Sequence, residues 1–240
     1  MEHPASGPKQ PIRERVWRAM QEARVARFPG AVGRIPNFVG AERAAARAAN
    51  LEAWKRAQVL KCNPDSPQLA LRKRALQEGK LVYMAVPRLA SERPFIELDP
   101  ARLGGTFHDA ASIKGAAHLG RPVALEEMRP VDLIVCGSVA VNRKGARIGK
   151  GGGYSDLEFA LAAEAGLITK HTVIITTVHA LQVLDEELPM TAHDIPLDAI
   201  VTPGETILCK PPYKRPKGIY RGMLPAEKRA EIPVLARMKT

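Results

Sequence analysis

The chain has 240 residues, 45% of them hydrophobic and 25% charged, the proportions of a soluble globular protein with ample length for a sizeable core. Its formal net charge of +11 points to phosphate-bearing ligands or to nucleic acid. Three widely spaced cysteines without a Cys-x-x-Cys exclude a disulfide framework or a cysteine zinc site, and no apolar run reaches the ~20 residues of a membrane span. Reduced thiols and a polar N-terminus without an apolar leader set the expectation of a cytoplasmic protein.

Residues 1–11 read as a loose start. Ile12, Val16, Ala19, Met20 and Ala23 then recur at helical spacing, predicting a helix from Ile12 to Phe28. Lys9 and Arg13 are four residues apart, so a first turn reaching back to Lys9 sets both on one side of the helix. There they form either a solvated basic face or a pair that meets a phosphate. Pro11 between them is tolerable only in the first turn. A loop to Gly40 is followed by an alanine-rich helix over 41–58. Val59–Cys62 is a short strand, and Ser66-Pro67 opens a helix that Gly79 closes. Leu81–Val86 is the next strand, after which Pro87-Arg88-Leu89 is either a plain turn or a border of the site. Residues 94–98 suggest a further strand. His108, Asp109, Lys114 and His118 match no metal spacing and read as a partly exposed helix.

The stretch 131–160, VDLIVCGSVAVNRKGARIGKGGGYSDLEFA, organises the rest. Leu133, Ile134, Val135, Val139 and Val141 form an apolar run suited to a strand covered on both faces. Gly149, Gly151, Gly152 and Gly153 then place four glycines in five residues. Such a loop leaves backbone N–H groups free to face an anion, and a helix starting near Ser155 aims its positive end at the same point. Arg147 and Lys150 add the charge opposite to a phosphate. The rival reading is a flexible basic hairpin. The loop is neither a Walker loop, lacking Lys-Ser or Lys-Thr, nor a dinucleotide fingerprint, because Tyr154 follows its glycines.

Beyond it, Leu157–Glu164 continue a helix that Gly166 ends, and Thr172–Val178 is a β-branched core strand. His179 at its end either meets ligand or caps the sheet. Residues 182–184 suggest a short return strand. In PMTAHDIPLDAIVTP, 189–203, the pair His193-Asp194 reads by itself as a surface turn. From Lys210 to Lys239 there are nine Lys or Arg against two Glu, punctuated by five prolines. The division expected is a domain over 1–208 and a basic tail over 209–240, draped or mobile, whose removal from 215 onward leaves stability intact. RNA contact is the rival role for that tail.

At RIGKGGGYSDLE the sequence resembles the 5-formyltetrahydrofolate cyclo-ligase family, whose loop has the form R-[LI]-G-x-G-x-G-Y-Y-D-R after a strand. The GSVAV strand end, the RIGKGxGY loop and the following D-L-E make it more similar to a divergent branch, the methenyltetrahydrofolate synthetase domain-containing proteins. The resemblance covers about residues 9–208. It implies a three-layer α/β/α fold with a mostly parallel sheet. It also implies ATP- and magnesium-dependent conversion of 5-formyltetrahydrofolate to 5,10-methenyltetrahydrofolate. By the same likeness Lys9, Arg13 and the segment from Arg147 through Gly149, Lys150, Gly151, Gly152 and Gly153 to Tyr154 would hold ATP. Lys9 and Arg13 would then point toward Arg147 and Gly151. Asp156 and Asp194 would lie near magnesium, an ion that takes a few carboxylates, phosphates and water. The family's second tyrosine and following arginine are Ser155 and Leu157 here, which puts folate recognition in doubt. Two alternatives stay open: a paralogue using the same ATP site on another small substrate, with thiamin metabolism a suspected link for the branch, and a nucleotide- or RNA-binding protein without turnover.

Overall fold

The computed structural model describes residues 7–237. Its elements run α1 (Lys9–Glu22), α2 (Ala41–Ala48), α3 (Glu52–Arg56), β1 (Val59–Cys62), α4 (Leu69–Gln77), β2 (Leu81–Ala85), β3 (Phe95–Leu98), α5 (Phe107–Ala110), α6 (Ile113–Leu119), β4 (Arg121–Val123) and β5 (Val131–Cys136). They continue with β6 (Ala140–Asn142), β7 (Arg147–Ile148), α7 (Tyr154–Glu164), β8 (Ile168–Thr177), β9 (Val183–Leu184), β10 (Ala199–Val201), β11 (Thr206–Leu208), α8 (Ala226–Glu231) and α9 (Pro233–Arg237).

Eight strands form the main sheet in the order β11-β10-β8-β5-β1-β2-β3-β4. The five from β10 to β2 are parallel, and β11, β3 and β4 add antiparallel edges. Alternation along the strands divides the core. Tyr83, Ile134 and Ile174 face one layer with Phe159 and Leu161 of α7, while Val82, Leu133 and Ile175 face the other with Leu71 and Leu76 of α4. This is the mostly parallel α/β architecture expected, with side chains on both faces of the sheet excluded from water. Among the described residues no helix is long and apolar enough to cross a membrane.

Several boundaries differ from the sequence reading, each for a local reason. The first helix begins at Lys9 and ends at Glu22. Pro11 sits in its first turn, where a missing N–H leaves no bond unmade. It ends because Arg24 takes φ 55° and the Val25 N–H returns to the Met20 carbonyl, a left-handed closure that leaves Phe28 outside. The helix expected over 41–58 is two pieces, with Leu51 extended between them. The break lets α2 bury Ala44, Ala45 and Ala48 while Trp54 turns into the core and donates to Glu78. The apolar run 133–141 is not one strand either. It leaves the main sheet after Cys136, and β6 pairs instead with β7 and β9 in a three-stranded sheet, so Val183–Leu184 is a strand as expected. Gly137 marks the exit: a Cβ there would fall 2.7 Å from Asp65 Oδ2 and 3.0 Å from Ile35. After the His193-Asp194 turn, Ala199–Val201 form β10, which extends the sheet beside β8.

The small sheet positions α1. Val16, Trp17 and Met20 pack on Val139, Ala140, Ala146 and Ile148, so the first helix rests against the hairpin that carries the glycine loop. His179 proves to be a cap, its ring accepting from the Leu181 N–H at 3.2 Å with Phe38 edge-on.

The basic segment after Leu208 is draped over the α7 face. Arg215 bonds Asp198 and the Thr172 carbonyl, Arg221 bonds Glu164, and Leu224, Ile232 and Val234 are buried in the main core. This packing runs against the expected dispensability of 215–240, because an apolar residue buried by the tail leaves its partners exposed when the tail is removed. Truncation before Arg215 should lower the melting temperature by roughly 5–10 °C, the scale for losing two or three buried aliphatic side chains. A midpoint unchanged within about a degree in calorimetry would return the segment to the dispensable reading.

Candidate functional site

The carboxyl ends of the parallel strands open into a cleft of about 440 Å³. Asn63, Pro64 and Asp65 follow β1, Val86, Pro87 and Arg88 follow β2, Gly137 follows β5, and the fourth wall is the glycine loop with the first turn of α7. Open α/β sheets bind ligands at this end. The Pro87-Arg88 turn therefore borders the cleft, and Arg88 is held at φ 56°.

The glycine loop has the conformations its composition invites. Gly151 at φ 106° and Gly153 at φ 66° lie in the left-handed region that side-chain-bearing residues avoid. Gly153 is the N-cap of α7, so the free N–H groups of an 11-residue helix start at the cleft wall. Lys150 is half-exposed at its edge, 3.4 Å from Asp65.

Residues separated by 185 positions meet here. Lys9 Nζ donates to both oxygens of Asp194 at 2.6 Å, and Arg13 Nε donates to the Gly149 carbonyl at 2.7 Å. Arg13 thus reaches the start of the glycine loop, whereas Lys9 meets Asp194; neither cation, nor Asp194 or Gly151, is among the residues lining the cleft. Arg147 is buried, its Nη1 donating to the Gly137 carbonyl at 2.9 Å and its Nη2 to Asp156 at 2.6 Å, while Nε is buried without a hydrogen-bond partner. Burial opposes its charge, but Asp156 beside it more than compensates and holds the guanidinium above its ordinary pKa. Asp194 also accepts from the Thr191 N–H and hydroxyl. Burial works against that carboxylate, yet Lys9 and Thr191 outweigh it and keep its pKa below the usual range.

The two aspartates singled out by sequence thus share one corner, since the Ile195 N–H, next to Asp194, donates to Asp156. Among the described residues no three His, Cys, Asp or Glu gather as a metal-binding group. These two carboxylates fit an ion that takes most of its ligands from phosphate and water.

Sequence reasoning missed the floor of the cleft. Lys61 of β1 and Glu158 of α7 form an ion pair, each at most 6% exposed in its side chain. Lys61 also donates to Asn63 Oδ1 at 3.1 Å, and Asn63 Nδ2 donates to Ser155 Oγ at 3.0 Å. Burial holds Glu158 above its ordinary pKa despite the ammonium beside it. The signal was present: a lysine inside the four-residue apolar strand VLKC and a glutamate inside LEFALAA each demand a partner when buried. Neither names the other, because 97 residues separate them.

Replacing Lys61 by Met leaves the Glu158 charge buried without its partner and should cost about 3–5 kcal/mol of stability. Adding Glu158→Leu should recover most of that loss. Urea unfolding of the three proteins checks this, and a single variant as stable as the parent would mean that the pair is not desolvated.

The description of the 5-formyltetrahydrofolate cyclo-ligase family matches residues 5–203, ending before the draped segment. A methenyltetrahydrofolate synthase domain-containing protein of Bos taurus is 38% identical over 242 residues; the alignment covers the whole of this chain but 64% of the bovine protein, so the chain spans less than two thirds of that relative. A mitochondrial 5-formyltetrahydrofolate cyclo-ligase of Arabidopsis thaliana is 30% identical over 96 residues, 38% of this chain and 34% of that protein. In fold, the chain is similar to the 5,10-methenyltetrahydrofolate synthetase of Aquifex aeolicus, with a TM-score of 0.52, 21% identity, and coverage of 86% of this chain and 95% of that one. On the extent of the family match, which spans residues 5–203, the chain belongs to the 5-formyltetrahydrofolate cyclo-ligase family.

Proposed function

We propose that the chain binds MgATP in the cleft and uses it for cyclo-ligase-type chemistry on 5-formyltetrahydrofolate. The observation that carries this is the glycine loop itself: Gly149, Lys150, Gly152 and Gly153 line the cleft, and Gly151 and Gly153 take left-handed φ just before α7. Bound MgATP would supply the phosphoryl group that activates the formyl oxygen, and attack of N10 on the formyl carbon would close the ring as that oxygen leaves with the phosphoryl group as inorganic phosphate. Chemistry of this kind asks a protein for positioning and charge neutralisation more than for a nucleophile. The backbone N–H groups of 151–154 would hold phosphate oxygens, while Lys9, Arg13 and Lys150 offset their charge. Asp156 and Asp194 would hold the magnesium ion, which requires Lys9 to turn from Asp194 toward phosphate. Three unpaired thiols accord with action in the cytoplasm.

One observation favours a second reading for the substrate. Ser155 stands where the family resemblance places a tyrosine, and its hydroxyl ends a buried polar chain through Asn63 to Lys61 and Glu158. A flat aromatic wall is thereby replaced by hydrogen-bonding groups, which suits a small polar substrate other than a pterin, a thiamin-related compound included. The RNA reading is weakened, because Arg215, Arg221 and Lys228 of the basic segment are bonded to Asp198, Glu164 and the Gly152 carbonyl.

Two measurements separate these readings. Gly151→Val forces a β-branched residue to φ 106° and should weaken MgATP binding by about tenfold to a hundredfold in calorimetry. Unchanged affinity in a folded variant would remove the loop from the nucleotide site. Formation of methenyltetrahydrofolate, followed by absorbance, should be weak in the natural chain and rise about three- to tenfold in Ser155→Tyr through restored stacking. Efficient turnover without that substitution would sink the second reading.

A further inference from the structure

The segment after residue 203 lies beyond the family match, yet it clasps α7 at both ends. At the far end Glu164 accepts from the Ile219 N–H at 3.0 Å and from Arg221 at 2.5 Å. At the near end Lys228 donates to the Gly152 carbonyl, and its ammonium stands 4.1 Å from the centre of the Tyr154 ring. Burial, and after it the charge of Glu231 one turn on, raises the pKa of the Tyr154 phenol. Ile232, which follows directly, is fully buried in the main core and anchors this contact.

We propose that Lys228 is a positioning residue of the nucleotide site, supplied by a C-terminal strap that must be docked for the glycine loop to bind phosphate. The inference rests on the MgATP reading given above. Lys228 is not among the residues lining the cleft, whereas Gly152, Gly153 and Tyr154 are. It therefore acts on the loop from behind. The Gly152 carbonyl is turned toward Lys228, and a peptide whose carbonyl is fixed on one side presents its N–H on the other. That N–H belongs to Gly153, the cap of α7. Glycines at 151, 152 and 153 leave the loop many backbone conformations, so a fixed cradle needs an outside restraint. A charge-assisted hydrogen bond and a cation–π contact converging on one ammonium supply it. Lys228 is itself half-buried between loop and ring, and burial lowers its pKa, as expected of an ammonium drawn out of water.

The test compares the full chain with Lys228→Met and Lys228→Arg by three measurements: melting temperature, MgATP affinity by calorimetry, and amide hydrogen exchange of 151–156 without ligand. Lys228→Met should weaken MgATP binding about tenfold and speed exchange at Gly153 and Tyr154, while the melting temperature falls by less than about 4 °C. Lys228→Arg should restore most of both effects. Unchanged exchange at the loop in Lys228→Met overturns the proposal, as does unchanged affinity in a natural chain that binds MgATP. A fall in melting temperature as large as that of tail truncation, with exchange raised evenly over the whole chain, also overturns it, since Lys228 would then be only structural. If the natural chain binds no MgATP while the loop exchange still responds to Lys228, the nucleotide reading fails and the restraint of the loop stands.

Discussion

A single buried guanidinium holds the cleft together. Arg147 joins the end of β5, through the Gly137 carbonyl, to the first turn of α7, through Asp156. Asp156 in turn receives the Ile195 N–H, which brings in the segment after Asp194. A charge taken out of water without a partner is costly, so these contacts are made together or not at all. The glycine loop, residues 149–153, is therefore suspended between an arginine at one end that cannot leave and a helix at the other. Its glycines supply freedom over a short span, and fixed groups define where that span begins and stops.

The same constraint governs α1. Arg13 donates to the Gly149 carbonyl, and Trp17 and Met20 pack on the small sheet that Arg147 anchors. Helix α1 thus meets the loop by apolar packing first and by charge second. Packing on the small sheet fixes the helix axis, and with it the place of the lysine in its first turn that meets Asp194.

Beside the loop, where α7 meets β1, the cleft floor uses buried polarity. Lys61 and Glu158 are neutralised by each other, and their remaining hydrogen-bonding capacity runs through Asn63 to Ser155. A polar chain in a dry environment is rigid because every broken link leaves an unsatisfied group. Such a floor discriminates among substrates by which donors and acceptors they complete.

The first helix, the strands at 59–62, 81–86 and 94–98, the core strand at 172–178, the glycine loop and the family were legible in the sequence, because each rests on residues close together in the chain or on a contiguous motif. Lys9 and Arg13 were legible as a pair at helical spacing, but not as groups facing Asp194 and Gly149. Other features had no local signature. The run 133–141 reads as one strand, and only Gly137, packed against Asp65 and Ile35, shows why it divides between two sheets. The pairing of Lys61 with Glu158 depends on how β1 lies under α7. The basic segment looked dispensable because its composition is that of a tail, yet Leu224, Ile232 and Val234 find apolar partners on α7 and the sheet. Composition and periodicity record what each residue needs, a partner for a charge or a dry surface for a methyl group. Only the tertiary structure decides which distant residue meets that need.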